Sequence, residues 1–226
     1  MKTKIICTIG LASLNFDVMK KMKIAGMNIV RINTKYGDPM QWEKIISHAK
    51  KLGLEIMIDI KGLGAVGWAS SQNFNYLAVS FAEKVSVLNN LKSKFNNKLK
   101  IISKIETNGG IKNINNLIKA SWGIMVARGD LAKNVPFENV PVLQREIIKK
   151  CRSSKKFAIT ATEMLLSMTK STSPTRAEVS DVATAVFLDS HGVMLSEETA
   201  IGKHPVLCVA TMRKITNEAE KSLSRV

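Results

Sequence analysis

The sequence predicts an α/β protein with the fold of a (β/α)8 TIM barrel, on three observations. Short apolar runs rich in β-branched residues alternate with stretches of helical periodicity. Eight such runs can be counted, and eight parallel strands close a barrel of this type. Several runs end in charged or hydroxyl side chains, which is typical of barrel strands whose carboxyl-terminal ends carry a reaction site. A doubly wound open sheet is the alternative, but no Gly-x-Gly-x-x-Gly follows the first run, which argues against a dinucleotide-binding version.

The first half of the chain supplies four strands and three helices. The strands are expected at Ile5–Ile9, Asn28–Asn33, Glu55–Ile60 and Tyr76–Phe81. The helices are expected at Asn15–Ala25, at Pro39–Leu52 and around Val85 and Leu88. Every strand of this half except the third is therefore followed by a helical pattern.

The second half repeats the alternation four times. Its strands are expected at Lys98–Thr107, Gly123–Asp130, Lys156–Ala161 and Gly192–Leu195. Its helical segments are expected at Ile111–Ala120, Val140–Ser153, Pro174–Leu188 and Pro205–Ser224. This brings the strand count to eight.

The connection after the third strand is irregular. Residues 61–75 are rich in glycine and small polar residues and leave little room for a full crossover helix. We expect the third helix to be shortened to a turn or missing, which uncovers part of the outer wall of the barrel. Trp68 and Phe74 then either fold over this gap, which we favour, or mark a contact with a second copy or another protein.

Composition is that of a soluble globular protein in one domain, residues 1–226. Hydrophobic residues make up 45% and charged residues 23%, which excludes disordered and fibrous classes. No apolar run reaches the roughly 18 residues that span a bilayer, and the first ten residues are too short and strand-like for a secretory signal. We therefore expect a cytoplasmic protein without a membrane partner. The three widely spaced cysteines are interpreted as reduced packing residues.

The net charge of +16 comes mostly from dispersed lysines. Only residues 20–23 and 149–156 form basic clusters, and neither is interleaved with aromatic residues, which argues against nucleic-acid binding. A positive field also attracts small phosphorylated acids. We therefore expect a small anionic substrate.

Two neighbouring strands end in polar tips that suit a divalent cation. Lys104 and Glu106 end the fifth strand, and Arg128 and Asp130 end the sixth. Mg²⁺ typically takes one or two carboxylates and leaves its other positions to water and substrate. The pattern indicates a metal and substrate pocket, and solvated strand ends are the alternative reading. His48, His191 and His204 have no partner at ligand spacing and are not expected to be catalytic.

Eight blocks of the sequence, taken in order, resemble the barrel domain of pyruvate kinase. The blocks are Ile5–Gly10, Ala25–Asn33, Asp59–Gly62, Ile101–Glu106, Met125–Leu131, Thr160–Leu165, Pro174–Ala183 and Met194–Ala200. The resemblance covers the chain from end to end. It implies a barrel domain without the family's lid domain, which is inserted after the third strand, and without its C-terminal regulatory domain.

The resemblance implies a role for particular residues. Glu106 and Asp130 match the ligands of the divalent metal, Mg²⁺ or Mn²⁺. Lys104 matches the cation at the transferring phosphoryl group. The other implied substrate-binding residues are Arg31 and Ser80 at the phosphate, Gly129 beside Asp130, and Thr162 at the carbon that takes up a proton. Ser196 and Glu198 match residues that support this proton relay. Lys104, Thr162 and Arg31 are thus the expected catalytic residues.

Departures from the family pattern concern the monovalent cation and the nucleotide. The K⁺ site matches Asn33, Lys35, Asp59 and Ile60. Lys35 replaces a serine and Ile60 replaces a threonine, so K⁺ is doubtful and the lysine ammonium is a candidate to replace it. The nucleotide-side arginine has no equivalent in residues 62–66. Glu83 stands where the family has an arginine. Use of a nucleotide is therefore uncertain.

Three functions remain open on these grounds. The first is a minimal pyruvate-kinase-like phosphotransferase acting on phosphoenolpyruvate. The second is metal-dependent enolate chemistry on pyruvate or an oxaloacetate-like acid, as a lyase, decarboxylase or aldolase without a nucleotide. The third is a non-catalytic binding subunit.

Overall fold

Eight parallel strands form a closed barrel in the computed structural model, which describes residues 2–62, 64–95 and 99–224. Each strand pairs with the next in the chain, and the first pairs with the last. The strands are β1 Lys4–Thr8, β2 Ile29–Asn33, β3 Glu55–Ile60, β4 Tyr76–Val79, β5 Lys100–Ile105, β6 Gly123–Ala127, β7 Phe157–Ala161 and β8 Gly192–Leu195. The predicted barrel is confirmed.

Helices cover the outside of the barrel, and short ones follow several strand ends. They are α1 Phe16–Ala25, α2 Pro39–Lys51, α3 Val66–Ser70, α4 Val85–Lys94, α5 Asn108–Lys112, α6 Ile114–Ala120, α7 Arg128–Leu131, α8 Val140–Ser153, α9 Arg176–Phe187, α10 Glu197–Ala200 and α11 Pro205–Leu223. Within the described residues, none of these helices is both long and apolar enough to cross a membrane.

Local sequence signals explain where the longer helices begin. Asn15 accepts hydrogen bonds from the backbone of the first turn of α1, and Asp38 does the same for α2, which starts with a proline. Thr175 and Glu178 form a reciprocal capping box at the start of α9. Gly26 ends α1 with φ +122°, a conformation that favours glycine. Each cap satisfies backbone groups that a bare helix end leaves unpaired.

Side chains of each strand alternate between the barrel interior and the helical layer. In β2, Ile29, Arg31 and Asn33 share the inward face, so an apolar residue at the start of the strand gives way to polar residues at its end. The buried apolar residues of the interior are Ile6, Ile29, Met57, Tyr76, Ala78, Ile102, Met125, Ile159, Ala161 and Met194. A larger apolar cluster fills the space between the strands and the helices. The inward alternation of β2 therefore brings Arg31 and Asn33 to the carboxyl-terminal end of the barrel.

Four rings form an aromatic floor at the amino-terminal end of the strands. The ring centroids of Tyr76 and Trp122 are 5.1 Å apart, those of Trp122 and Phe157 are 4.8 Å apart, and those of Phe157 and His191 are 5.1 Å apart. The ammonium of Lys100 lies over the first two rings, at 5.4 and 5.2 Å from their centroids. The floor spans the starts of β4, β6, β7 and β8.

The connection between β3 and β4 contains a helix of only five residues, α3. The predicted shortening of the third helix is therefore confirmed. Trp68 packs on Trp42 of α2 with 4.8 Å between ring centroids, and its indole N–H donates to Glu43. Phe74 packs against Phe95 at 5.9 Å. Both rings contact the apolar layer of their own chain, as favoured from the sequence, while a partner near Trp68 stays a prediction.

Two predicted elements differ in detail. The single helix expected at Ile111–Ala120 is two helices, α5 and α6, which meet at Asn113. The sixth strand ends at Ala127 rather than Asp130, because the backbone turns into the short helix α7. The second correction matters for the site, since Arg128 and Asp130 leave from a helix and point in different directions.

Candidate active site

A buried ion cluster lies at the carboxyl-terminal ends of β2, β3 and β5. It consists of Arg31, Asp59, Lys104 and Glu106, of which none is more than 6% exposed. Each occupies an inward position near the end of its strand, two or four residues beyond an apolar interior residue. Two cations and two carboxylates therefore balance one another in a site shielded from water.

Asp59 is the central anion of the cluster. Its Oδ2 lies 2.8 Å from Nε and 2.7 Å from Nη2 of Arg31, and 3.2 Å from Nζ of Lys104. Burial by itself raises the pKa of this carboxyl, but Lys104 and Arg31 more than offset it, so the pKa of Asp59 lies below its ordinary value. Arg31 also donates to Thr8 Oγ1 at 2.7 Å. The arginine fork is thereby fixed between β1 and β3.

Lys104 connects three side chains at the centre of the site. Its Nζ lies 2.9 Å from Ser80 Oγ, 3.0 Å from Glu106 Oε1 and 3.2 Å from Asp59 Oδ2. Ser80 in turn donates to Asp59 Oδ1 at 3.3 Å. The structure thus brings together Arg31, Ser80, Lys104 and Glu106, all of which were predicted from the sequence as substrate or metal residues.

Glu106 is held by the backbone of the neighbouring loop. Its Oε2 accepts a hydrogen bond of 2.6 Å from the amide of Phe81, which has a left-handed φ of +52°. Its Oε1 pairs with Lys104, but no described donor directs a hydrogen bond at it, although it is buried. A buried carboxylate oxygen with spare acceptor capacity is suited to a cation ligand.

Asp130 lies on α7 at the rim, and its side chain is 44% exposed. Its Oδ1 is 2.9 Å from Nζ of Lys133, and this hydrogen bond is the main cause that lowers the pKa of Asp130. The amide of Asn134 donates to the backbone carbonyls of Glu106 and Asp130, at 3.0 Å each. Asn134 therefore holds the two predicted metal-binding loops together.

The donor set fits a hard divalent cation that is completed by water and substrate. Two carboxylates, one buried with a spare oxygen and one ionised at the rim, are the usual protein share of a Mg²⁺ site. Among the residues described here, no group of three or more His, Cys, Asp or Glu side chains is arranged to hold a metal. The protein alone thus offers a partial site rather than a closed cage.

Thr162 and Glu163 follow β7 with a strained backbone. Their φ angles are +72° and +53°, in the left-handed region that costs a non-glycine residue about 1–3 kcal/mol. Thr162 Oγ1 accepts from the amide of Gly129 at 2.8 Å and donates to Ala161 O at 2.5 Å. The predicted residues Gly129 and Thr162 are therefore in contact. Strain of this kind is retained where the surrounding structure enforces it.

Glu198 and Ser196 lie at the end of β8. Glu198 is fully buried and accepts from the amides of Leu165, at 3.0 Å, and Ser196, at 2.7 Å. Ser196 Oγ is buried and has no hydrogen-bond partner among the described residues. The carboxylate thus fixes the backbone of the β7 and β8 loops, while the hydroxyl is left available.

Lys35 does not contact the predicted cation-site residues through its ammonium. Its side chain is exposed, and Nζ lies over the ring of Tyr36, 5.3 Å from the centroid. The backbone amide of Lys35 donates a hydrogen bond to Asn33 Oδ1 at 3.2 Å. Arg31 and Lys104 supply the cations that face Asp59. Replacement of K⁺ by Lys35 stays a prediction.

Thr8 and Asn134 belong to the site, and Asp181 pairs with Arg128 at 2.6 Å, but none of the three is among the residues predicted from the sequence. Thr8 follows Ile6 by two positions in β1, so the inward alternation was a usable signal for it. Asn134 and Asp181 act through loop and helix geometry, for which the sequence carries no comparable pattern.

Comparison with known proteins identifies one family of similar sequences. The family model described as pyruvate kinase, barrel domain, matches residues 1–63 and 57–209. The pyruvate kinase of Mycoplasma genitalium is 46% identical over 164 residues, which is 71% of this chain and 32% of that protein. The enzyme of Clostridium perfringens is 45% identical over 153 residues, 66% of this chain and 32% of that protein. That of Dictyostelium discoideum is 38% identical over 216 residues, 93% of this chain and 41% of that protein.

The chain thus spans about a third of the length of the first two of these relatives. The fifteen residues that join β3 to β4, 61–75, include α3 and are too few to form an inserted domain. Together the closed barrel, the family match and the relatives show that the chain belongs to the pyruvate kinase family, in the part of it that forms the barrel domain.

Proposed function

We propose that this barrel binds phosphoenolpyruvate or pyruvate together with Mg²⁺ or Mn²⁺ and acts on it as a minimal pyruvate-kinase-like phosphotransferase. The observation that carries the proposal is the buried cluster of Arg31, Asp59, Lys104 and Glu106 at the carboxyl-terminal end of the barrel. Burying four charges is costly, and a barrel that needed only stability would be served as well by apolar residues. Function is the simplest reason to keep them.

The cationic and the acidic residues of the site have different proposed roles. Arg31 and Lys104 are cations in a water-poor site, where they stabilise a phosphoryl group and the charge that develops on it. Glu106 and Asp130 would hold the divalent metal, which when bound neutralises charge on the acid and polarises its oxygens. Ser80 orients Lys104 through its 2.9 Å contact. Thr162 presents a hydroxyl close to Gly129, for proton transfer at the methyl carbon.

A second candidate, enolate chemistry without a nucleotide, is favoured by the rim around the cluster. The described part of the β3–β4 connection packs on the outer layer of the barrel through Trp68 and forms no lid. Glu83 adds a carboxylate beside the site, because Thr107 donates to it at 2.6 Å directly after Glu106. A fixed anion next to the pocket disfavours the phosphates of a nucleotide. Pyruvate enolisation and oxaloacetate decarboxylation need no such second substrate.

The test is binding of oxalate, a mimic of the pyruvate enolate, in the presence of Mg²⁺. At a hundredfold excess over Kd, oxalate stabilises the folded protein by about 2.7 kcal/mol. For a domain of this size that raises Tm by about 5–10 °C. Glu106→Gln and Asp130→Asn should abolish the shift, while Glu138→Gln, at an exposed position outside the site, should retain it. An unchanged Tm of the wild type would leave only a non-catalytic binding role.

Two activity measurements then separate the candidates. Exchange of pyruvate methyl protons in D₂O, followed by NMR, reports enolate chemistry. ATP formation from phosphoenolpyruvate and ADP reports phosphoryl transfer. Exchange without ATP formation selects the second candidate, and ATP formation selects the first. The cytoplasmic location, the single domain over residues 1–226 and the lack of nucleic-acid or membrane partners stay predictions from the sequence.

A further inference from the structure

We propose that Arg128 is a positioning residue that holds Thr162 in its reactive orientation, an inference that rests on the proposed function. Arg128 was expected at the tip of the sixth strand beside Asp130. Instead, its side chain turns away from the ion cluster and is 13% exposed. It reaches the loop after β7, which carries Thr162.

The guanidinium of Arg128 donates hydrogen bonds to the backbone carbonyls of the strained segment. Nη2 of Arg128 lies 2.7 Å from the carbonyl oxygen of Thr162 and 3.3 Å from that of Glu163, and Nε lies 3.3 Å from the first of these. These are the two consecutive residues with left-handed φ. The same Nη2 is 3.0 Å from Met164 Sδ. One side chain thus contacts three successive residues of the segment.

The other end of the guanidinium is anchored on the helical layer. Nη1 lies 2.6 Å from Asp181 Oδ1 on α9 and 3.4 Å from Gln144 Oε1 on α8. Gln144 is buried and the Asp181 side chain is about one third exposed. Arg128 therefore bridges a fixed support and a strained loop. A planar fork can do this in two directions at once, whereas a single ammonium cannot.

These contacts of Arg128 define the position of the Thr162 hydroxyl. With the backbone fixed, Oγ1 accepts the hydrogen bond from the amide of Gly129 at 2.8 Å. Gly129 directly follows Arg128 and directly precedes Asp130. The segment that would hold the metal and the hydroxyl that would move the proton are thereby tied into one unit. Releasing Arg128 should disturb the proton step more than substrate binding.

The first test is spectroscopic and does not depend on activity. In Arg128→Lys, the hydrogen bond from the Gly129 amide should be lost, which moves its ¹H–¹⁵N resonance and accelerates its hydrogen exchange by about tenfold or more. Thr162→Val removes the same acceptor while leaving the guanidinium, and should give a matching change. Arg145→Lys, an exposed substitution of the same type on α8, is the control. An unmoved Gly129 resonance in Arg128→Lys would overturn the proposal.

The second test separates positioning from simple destabilisation. In Arg128→Lys, the Kd of oxalate with Mg²⁺ should stay within about threefold of the wild type, while methyl-proton exchange of pyruvate falls about a hundredfold, the usual effect of a misplaced reacting group. An equal loss of oxalate affinity and of the methyl-proton exchange rate would overturn the positioning role. If the wild type itself binds no oxalate, the proposed function fails, and the Gly129 resonance still decides whether Arg128 holds Thr162.

Discussion

Replacing Asp59 by asparagine should destabilise the fold strongly. Asp59 is 1% exposed and receives two short contacts from Arg31 and two longer ones from Lys104. Asparagine keeps the shape but loses the charge. Its side-chain NH₂ group is a donor, and it would face the donors of Arg31 and Lys104. Arg31 then loses its carboxylate partner, and Lys104 keeps only Glu106.

Removing one partner of a buried ion pair costs about 3–5 kcal/mol, because the remaining charge is left uncompensated. In a domain of this size each kcal/mol lowers Tm by about 2–4 °C, so we expect a decrease of about 6–20 °C at pH 7. Urea unfolding at equilibrium measures the free-energy difference directly. Glu138→Gln, an exposed charge with no ion-pair partner in the described part of the chain, should change stability by less than about 0.5 kcal/mol.

The difference in stability between the wild type and Asp59→Asn should also decrease as the pH falls. The pKa of Asp59 in the folded protein is lowered, so its stabilising contribution is complete above the unfolded value of about 3.9 and is lost as the pH falls through the folded value. Wild type and Asp59→Asn should therefore begin to converge below about pH 4, and the convergence should be complete only below the folded pKa of Asp59. Added phosphate should stabilise the variant more than the wild type, because two cations have become available to an anion. A loss below about 1 kcal/mol, or one that is the same at every pH, would refute this account of the cluster.

Two further predictions concern residues outside the cluster. A Cβ at Gly10 would lie 2.6 Å from Ala200 O, whereas one at Gly67 in α3 meets nothing within 4 Å. Gly10→Ala should thus lower the free energy of unfolding by about 1–3 kcal/mol and Gly67→Ala should raise it by about 0.5–1 kcal/mol, as measured by urea unfolding; the reverse order would contradict the packing. The buried thiols should resist alkylation at pH 8 until the protein unfolds, since burial raises the pKa of Cys151 and Cys208 to about 12 and that of Cys7 well above its ordinary value; mass spectrometry of the native protein showing fast modification would contradict this.

Most of the fold could be predicted because the strands carry their own signal. Glu55–Ile60 and Gly192–Leu195 have the predicted bounds, and the other strands differ by a few residues at their ends. The break between α5 and α6 could not be predicted, because it depends on how Asn113 contacts the neighbouring loop through the carbonyl of Glu83. Ends of elements are decided by such tertiary contacts more than by local preference.

The ion cluster could be predicted in part. Alternation along the strands directs Arg31, Lys104 and Glu106 inward, and the family resemblance gave each a role. The direction of Arg128 could not be inferred, because the turn into α7 rotates it from the strand end toward α9. The same turn places Asp130 at the rim beside Lys133 rather than in the cluster. The one-turn helix α7 thus sends two charged side chains, two residues apart in the sequence, in different directions.

The aromatic floor has a consequence for how this protein can evolve. The rings of Tyr76, Trp122 and Phe157 lie at the starts of the strands whose ends, or following loops, carry Ser80, Gly129 and Thr162. These rings therefore pack at the end of the barrel opposite the residues of the candidate site. Substitutions at the carboxyl-terminal end can accumulate without opening the barrel, provided that the aromatic floor keeps its stacking. A lineage that lost its nucleotide partner would retain a stable scaffold on which a different reaction could be selected.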